Sequence, residues 1–239
     1  MSRHAARLIL WDIDQTLIEA GGTTRQAYAA AFLRTVGHQL EHPWQFNGRT
    51  ELAAVREVLR AHGVEPTPGL VAAFLEQVVA ELSERADQIR RNGRVLDGAE
   101  AALRACRAAE GTYQSVLTGN LYPLAALKLS LFGLADYLDL RLGAYGGDAI
   151  ERTELLQHAW DRAHRQTGHR FSGSDTVIVG DTLLDVATGT RAGARAVAVA
   201  TGPFSVAELR AAGADVVLPS LADTTAVVGA ILAPREPGR

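Results

Sequence analysis

Two acidic clusters are the first places in this sequence where chemistry could be done. In Leu8-Ile9-Leu10-Trp11-Asp12-Ile13-Asp14-Gln15-Thr16 an apolar run ends in two acids one residue apart. In Val177-Ile178-Val179-Gly180-Asp181-Thr182-Leu183-Leu184-Asp185 a second apolar run ends in Asp181 and then Asp185. Open α/β sheets collect ligands at the carboxyl ends of their strands. Carboxylates crowded there repel one another unless a cation or a proton separates them. Mg²⁺ suits such a set, because it takes a few carboxylates and completes its shell with water and phosphate oxygens. Asp181 and Asp185 are four apart and would share a helix face if a helix begins at Asp181. A solvated turn, or an acid at a helix N-terminus, would account for either cluster alone. If the two runs are neighbouring strands, three or four carboxylates meet at one point, and a metal site is the better reading.

A third apolar run, Val116-Leu117, leads into Thr118-Gly119-Asn120 and then a helical segment with Pro123 in its first turn. A hydroxyl, a glycine and unpaired backbone N–H groups at a helix start suit an anion such as phosphate. Capping of the helix by Asn120 is the plain structural alternative. The same segment holds Lys128. Lysine and arginine together number 24, and Lys128 is the only lysine. A GC-rich genome explains why lysine is rare but not why one remains at this position. Helical side chains lean toward the N-terminus, so the Lys128 ammonium can reach back toward a phosphate held at Thr118.

These residues need a scaffold. Leu8–Trp11, Gln114–Leu117, Val177–Val179, Ala196–Val199 and Val216–Leu218 read as buried strands, with a weaker one at Leu140–Ala144. Helical patterns lie between most of them, which predicts a parallel sheet covered on both faces. The stretch from Thr23 to Arg91 shows no strand pattern. It predicts helices over Ala27–Val36, capped by Thr23 or Thr24, and over Glu51–His62 and Leu70–Ile89. Gly21-Gly22 and Asn92-Gly93 flank this insert as flexible joints. Residues Pro234–Arg239 read as a frayed tail.

The bulk properties set limits. A chain of 239 residues, 47% hydrophobic, can build one sizeable core with a smaller attached unit. A net charge of −3 argues against a dedicated nucleic-acid binder. Cys106 is the only cysteine, which fits a reducing compartment. No stretch approaches ~18 uncharged apolar residues, so no membrane span is expected. The expectation is a soluble, cytoplasmic protein. The histidines show no metal-ligand spacing.

Taken together, Asp12-x-Asp14-x-Thr16, Thr118-Gly119-Asn120 and Gly180-Asp181-x3-Asp185 resemble the first, second and fourth motifs of the haloacid dehalogenase-like superfamily. The tail from Thr201-Gly202-Pro203 through Ala212-Gly213-Ala214-Asp215 is similar to the closing segment of its phosphoglycolate-phosphatase-like branch. The resemblance implies a Rossmann-like α/β core, residues 1–18 and 95–239, with an inserted α-helical cap, residues 19–94. It implies that Asp12 attacks phosphorus and forms an aspartyl-phosphate. Asp14 would protonate the leaving oxygen and then activate water. Mg²⁺ would be held by Asp12, the backbone carbonyl of Asp14 and Asp181, with Asp185 in support. Thr118, Thr16, Gly119 and Asn120 would hold the phosphate. The family also places a cation beside the nucleophile. Lys128 and Arg152 compete for that role, and Arg152 lies near where many relatives carry the lysine. Phe46-Asn47-Gly48-Arg49-Thr50 resembles a substrate-facing loop, in which Arg49 could pair with a carboxylate or second phosphate. The family usually has glycine where this chain has Gln15, which strains the backbone if φ is positive there.

The implied activity is Mg²⁺-dependent hydrolysis of a small phosphorylated metabolite, with phosphoglycolate as the branch-level substrate. A phosphosugar mutase uses the same core residues and stays open. A non-catalytic binding protein, suggested by Gln15 alone, is the third reading. A Schiff-base phosphonate cleaver would need a cap lysine, and this insert has none. The dehalogenases lack the second acid, which is present as Asp14.

Overall fold

The computed structural model describes residues 6–41 and 48–233. Five parallel strands form the central sheet: β1 (Arg7–Trp11), β4 (Thr112–Val116), β5 (Thr176–Gly180), β6 (Arg195–Val199) and β7 (Val216–Leu218), in the spatial order β4-β1-β5-β6-β7. Parallel strands need crossover helices, and each crossover covers a face. Ile9 and Trp11 of β1 pack with Val177 and Val179 of β5 against α5 (Ala99–Ala108), α6 (Tyr122–Leu131) and α10 (Thr224–Leu232). Leu8 and Leu10 face the other way with Ile178, onto α7 (Leu155–Thr167). On that second face, Ala196 and Ala198 of β6 meet α8 (Leu183–Arg191) and α9 (Val206–Ala211). Both faces of β1 are therefore dry from Leu8 onward, which is why Leu8–Trp11 is an uninterrupted apolar run. Trp11 is fully buried, and its indole N–H donates to the Gln114 side chain at 3.0 Å.

The register decides where chemistry can happen. Trp11 is level with Val116 on one side and Val179 on the other. The residues that follow these three, Asp12, Leu117-Thr118 and Gly180-Asp181, thus leave the sheet along one edge.

Between β1 and α5 the chain leaves the sheet. A two-stranded antiparallel ladder, β2 (Ile18–Glu19) with β3 (Arg94–Val95), joins its exit and return. Within that loop lie α1 (Thr23–Val36), α2 (Glu51–Ala61), α3 (Pro68–Glu84) and α4 (Ala86–Asn92). They enclose a separate apolar cluster built on Tyr28, Phe32, Leu59, Phe74, Val78 and Ile89, with Leu124 of α6 joining from the core. Among the described residues of this insert, none belongs to the central sheet.

Four local expectations are corrected. Leu140–Ala144 is not a strand. Asp139 accepts from the Arg141 N–H at 3.1 Å and sets a 3-10 turn over Leu140–Leu142, so only Ala144 reaches the edge at Leu117. The helix over Leu70–Ile89 is two helices, broken at Arg85 (φ −95°, ψ 12°). Neither Thr23 nor Thr24 caps α1. Gly22, left-handed at φ 77°, holds the cap position without a side-chain bond, and Thr23 is already helical. Asp181 lies before α8, whose cap is Thr182, so Asp181 and Asp185 do not share a helix face. Phe46, Asn47 and the tail Pro234–Arg239 lie outside the described residues.

Candidate active site

The sheet edge lines a cavity of about 640 Å³, bordered by Asp12, Asp14, Thr118, Lys128, Arg152 and Asp181. The described helical insert forms its opposite wall through Thr24, Arg25, Arg49 and Glu51. Asp12, Asp181 and Asp185 are buried, and one carboxylate oxygen from each falls within 4.8 Å of the others. Burial comes first in pushing Asp12 and Asp181 above the usual carboxylate range, and repulsion within the trio adds to it. Three buried acids crowded this closely, two of them pushed toward the protonated form, are a donor set suited to a hard divalent cation.

Each member of the trio is held by its own support. The Thr16 hydroxyl donates to Asp181 at 3.1 Å. Gly202 lets the chain run past the same carboxylate, where a Cβ would stand 1.8 Å from its oxygen. Asp185 accepts from the Thr182 N–H at 3.0 Å and its hydroxyl at 2.6 Å in a capping box, and from Arg152 on its other oxygen. With both oxygens engaged, Asp185 stands as the least available ligand of the three. Arg152 lies 3.1 Å from Asp12 and also donates to the Leu117 and Gly48 carbonyls at 3.2 and 2.8 Å. Burial opposes its charge, but Asp185 and Asp12 outweigh that and raise its pKa above the ordinary arginine value.

Asp14 stands apart from the trio. Its carboxylate accepts from the Lys128 ammonium at 2.8 and 2.7 Å and from the Asn120 amide at 2.7 Å. The Asn120 carbonyl accepts from Lys128 at 2.7 Å, and its amide also donates to the Thr118 hydroxyl at 2.9 Å. Lys128 is 2% exposed, whereas the Asp14 side chain is 40% exposed. The single lysine is therefore a buried clamp on an acid that faces the cavity.

Some sequence expectations shift accordingly. Lys128 reaches back along α6 as its helical position requires, but to Asp14 rather than Asp12; the cation at Asp12 is Arg152. Asn120 does not cap α6, whose cap position is Leu121. The Thr16 hydroxyl is directed at Asp181 and does not border the cavity. Asp14's carboxylate is outside the acidic trio. Arg49 borders the cavity and pairs with Glu57 at 3.3 Å. Gln15 does have positive φ, 61°, the one non-glycine to do so among the described residues. Its N–H donates to Ile18 at 2.7 Å and its carbonyl accepts from the Thr201 hydroxyl, which hold the turn in place.

Sequence reading missed Glu51. It is 3% exposed and borders the cavity, and burial pushes its carboxyl up to about 7 against the favourable Tyr28 hydroxyl and Lys128. Nothing in the sequence flagged it, since an acid following Thr50 at a helix start is ordinary.

The chain belongs to the haloacid dehalogenase-like hydrolase family, whose model matches residues 9–189; a second, HAD-hydrolase-like model matches residues 156–224. No curated protein matches it. Among solved structures it is similar to a predicted phosphatase from Clostridium acetobutylicum, with TM-score 0.70, 18% identity, and coverage of 94% of this chain and 99% of that one. It is similar at TM-score 0.67 to a predicted phosphoglycolate phosphatase from Haemophilus somnus, with 18% identity, 95% of this chain and 100% of that one. A protein provisionally described as a beta-phosphoglucomutase from Bacteroides vulgatus aligns at TM-score 0.69, with 19% identity, 95% of this chain and 91% of that one. No helix among the described residues is long and apolar enough to cross a membrane.

Proposed function

We propose that this protein is a Mg²⁺-dependent phosphatase acting on a small phosphomonoester, with Asp12 as nucleophile. The observation that carries this reading is the division of labour between two neighbouring acids. Asp12 is buried in the acidic trio beside Arg152, while Asp14 is half-exposed to the cavity and gripped by Lys128 and Asn120. Asp12 and Asp181, with the Asp14 backbone carbonyl, would hold Mg²⁺, and Asp185 would support them. The cation would neutralise the trio and the phosphate oxygens, so that a carboxylate can approach phosphorus. Arg152 would keep Asp12 ionised and aimed. Thr118 and the Gly119 and Asn120 region would cradle the transferring group. Asp14, able to reach the leaving oxygen from the cavity side, would give it a proton and later take one from water. Residues 19–94 would act as a cap that excludes water when closed.

The leaving group is bounded by chemistry at the rim. Arg25 borders the cavity and has no ion pair or hydrogen bond among the described residues, whereas Glu19 is paired with Arg94 at 3.0 Å. That favours a substrate with a second anionic group, such as phosphoglycolate or a larger phospho-acid that fills more of the space. A phosphosugar mutase remains the second reading, favoured by the shared core acids and by a cavity roomy enough for a sugar. The deciding experiment incubates the protein with phenyl phosphate, phosphoglycolate and a hexose monophosphate, with and without MgCl₂. Mg²⁺-dependent release of inorganic phosphate supports the phosphatase. Phosphate moved between sugar positions without release would install the mutase. No reaction with any of them would sink both.

A further inference from the structure

The N-terminus of α2 and the loop that opens α6 are docked on each other, end to end. A helix cannot satisfy its own first N–H groups. Here the Glu51 N–H donates to the Gly119 carbonyl at 2.9 Å and the Leu52 N–H to the Gly146 carbonyl at 3.2 Å. In return the Leu121 N–H, at the uncapped start of α6, donates to the Glu51 carboxylate at 2.7 Å. The Thr50 hydroxyl adds a bond to the Ile150 carbonyl at 2.6 Å. The approach is backbone-close: a Cβ on Gly119 would sit 2.1 Å from the Arg49 carbonyl. Leu121 follows Asn120, which holds both Asp14 and Lys128.

From this geometry we infer that Glu51 is a positioning residue, which locks the helical insert onto the phosphate-side loop and, through Leu121 and Asn120, fixes Asp14. The inference rests on the reading of residues 19–94 as a cap and of Asp14 as the acid–base. Its chemistry is that of an acceptor placed where two helix starts would otherwise leave a buried N–H unsatisfied. Burial disfavours the ionised form of Glu51 and pushes its carboxyl up to about 7. A residue retained only for packing would be better apolar. A buried carboxylate that spans two units is explained by what it aligns.

Two substitutions separate alignment from packing. Glu51→Leu keeps the bulk and removes the acceptor; Glu51→Gln keeps an acceptor oxygen and removes the charge. Glu51→Leu should melt somewhat lower than wild type, since it leaves the Leu121 N–H without its acceptor. Where fully folded it should lower kcat by about tenfold to a hundredfold with a smaller change in KM, because Leu121 and Asn120 lose their anchor. Glu51→Gln should hold kcat within about threefold of wild type, rescued by its amide oxygen. Amide exchange gives a readout that needs no turnover. In the Asp12→Asn background, residues 48–53 and 119–123 should exchange faster with Leu at position 51 and at the wild-type rate with Gln. Leu121→Pro, at a site with φ −60° that suits proline, deletes the donor and should reproduce the faster exchange. Unchanged exchange in Glu51→Leu and Leu121→Pro would overturn the lock whether or not the protein is a phosphatase. A Glu51→Gln variant as impaired as Glu51→Leu would also overturn it, by assigning the effect to charge.

Discussion

The two sides of the Asp12-x-Asp14 turn differ in how they treat negative charge. On the Asp12 side the one guanidinium, that of Arg152, pairs with two of three buried carboxylates, and the balance stays negative. On the Asp14 side one carboxylate has an ammonium to itself, with an amide to fix the geometry, and 40% of its side chain faces the cavity. One residue separates the two acids in sequence. The first side is suited to holding a divalent cation and a nucleophile. The second is suited to handing a proton in and out. The arginine and the lysine are not interchangeable in this arrangement. A planar fork bridges two carboxylates and two carbonyls around Asp12, whereas a compact ammonium takes three close acceptors around Asp14.

The sharpest way to break this comparison is Asp12→Asn. An amide is nearly isosteric but a poor nucleophile, so turnover should fall at least ~10³-fold while the fold is kept. Retention of a tenth of wild-type phosphate release would take the nucleophile's role from Asp12.

Next in size is the response to pH and metal. The folded, metal-free protein holds protons on Asp12 and Asp181 above the usual carboxylate range. The native state then binds more protons than the unfolded chain, so stability is full below the ordinary carboxylate pKa and is lost as pH rises through the raised values. Mg²⁺ competes with those protons. Added MgCl₂ should therefore raise Tm more at about pH 8 than at about pH 5.5; wherever it reaches a hundredfold excess over Kd it contributes about 2.7 kcal/mol of stabilisation. Thermal melts at both pH values check this. Equal Mg²⁺ effects at the two would deny that the trio is the metal site.

Lys128→Arg tests the other side. It keeps the charge, but a guanidinium does not fit where three acceptors converge at 2.7–2.8 Å. A loss of about tenfold to a hundredfold in kcat is expected, with Mg²⁺ affinity by calorimetry little changed. Weakened Mg²⁺ binding with intact kcat would mean that the two sides are not separate functions.

The smallest effect belongs to the turn between them. Gln15 at φ 61° carries the steric penalty of a left-handed non-glycine residue. Gln15→Gly should relieve it, offset in part by extra freedom in the unfolded chain, for a net gain of up to about 1 kcal/mol in chemical denaturation. A loss of stability would mean that the Gln15 side chain contributes more than its backbone costs.

Much of this molecule was legible because burial on two faces writes itself plainly. Leu8–Trp11, Val177–Val179 and Ala196–Val199 have no polar alternation to confuse the reading, and acids following such runs can only lie at a sheet edge. Leu140–Ala144 misled because alternating leucines also suit a 3-10 turn, and Asp139 tips the balance through local bonds to the Arg141 backbone and guanidinium. The break in the third helix at Arg85 carries no glycine or proline to announce it.

What the sequence determined by itself was the set of reactive residue types and the strand ends that carry them, since local runs and spacings depend only on chain neighbours. What only the tertiary structure decided was the pairing: Arg152 with Asp12, Lys128 with Asp14, Thr16 with Asp181, Glu51 with Leu121. Those partners lie from 70 residues apart, for Glu51 and Leu121, to 165, for Thr16 and Asp181. A charge's partner depends on distances of a few ångströms across the sheet edge, and these are set by register, helix packing and close backbone contacts.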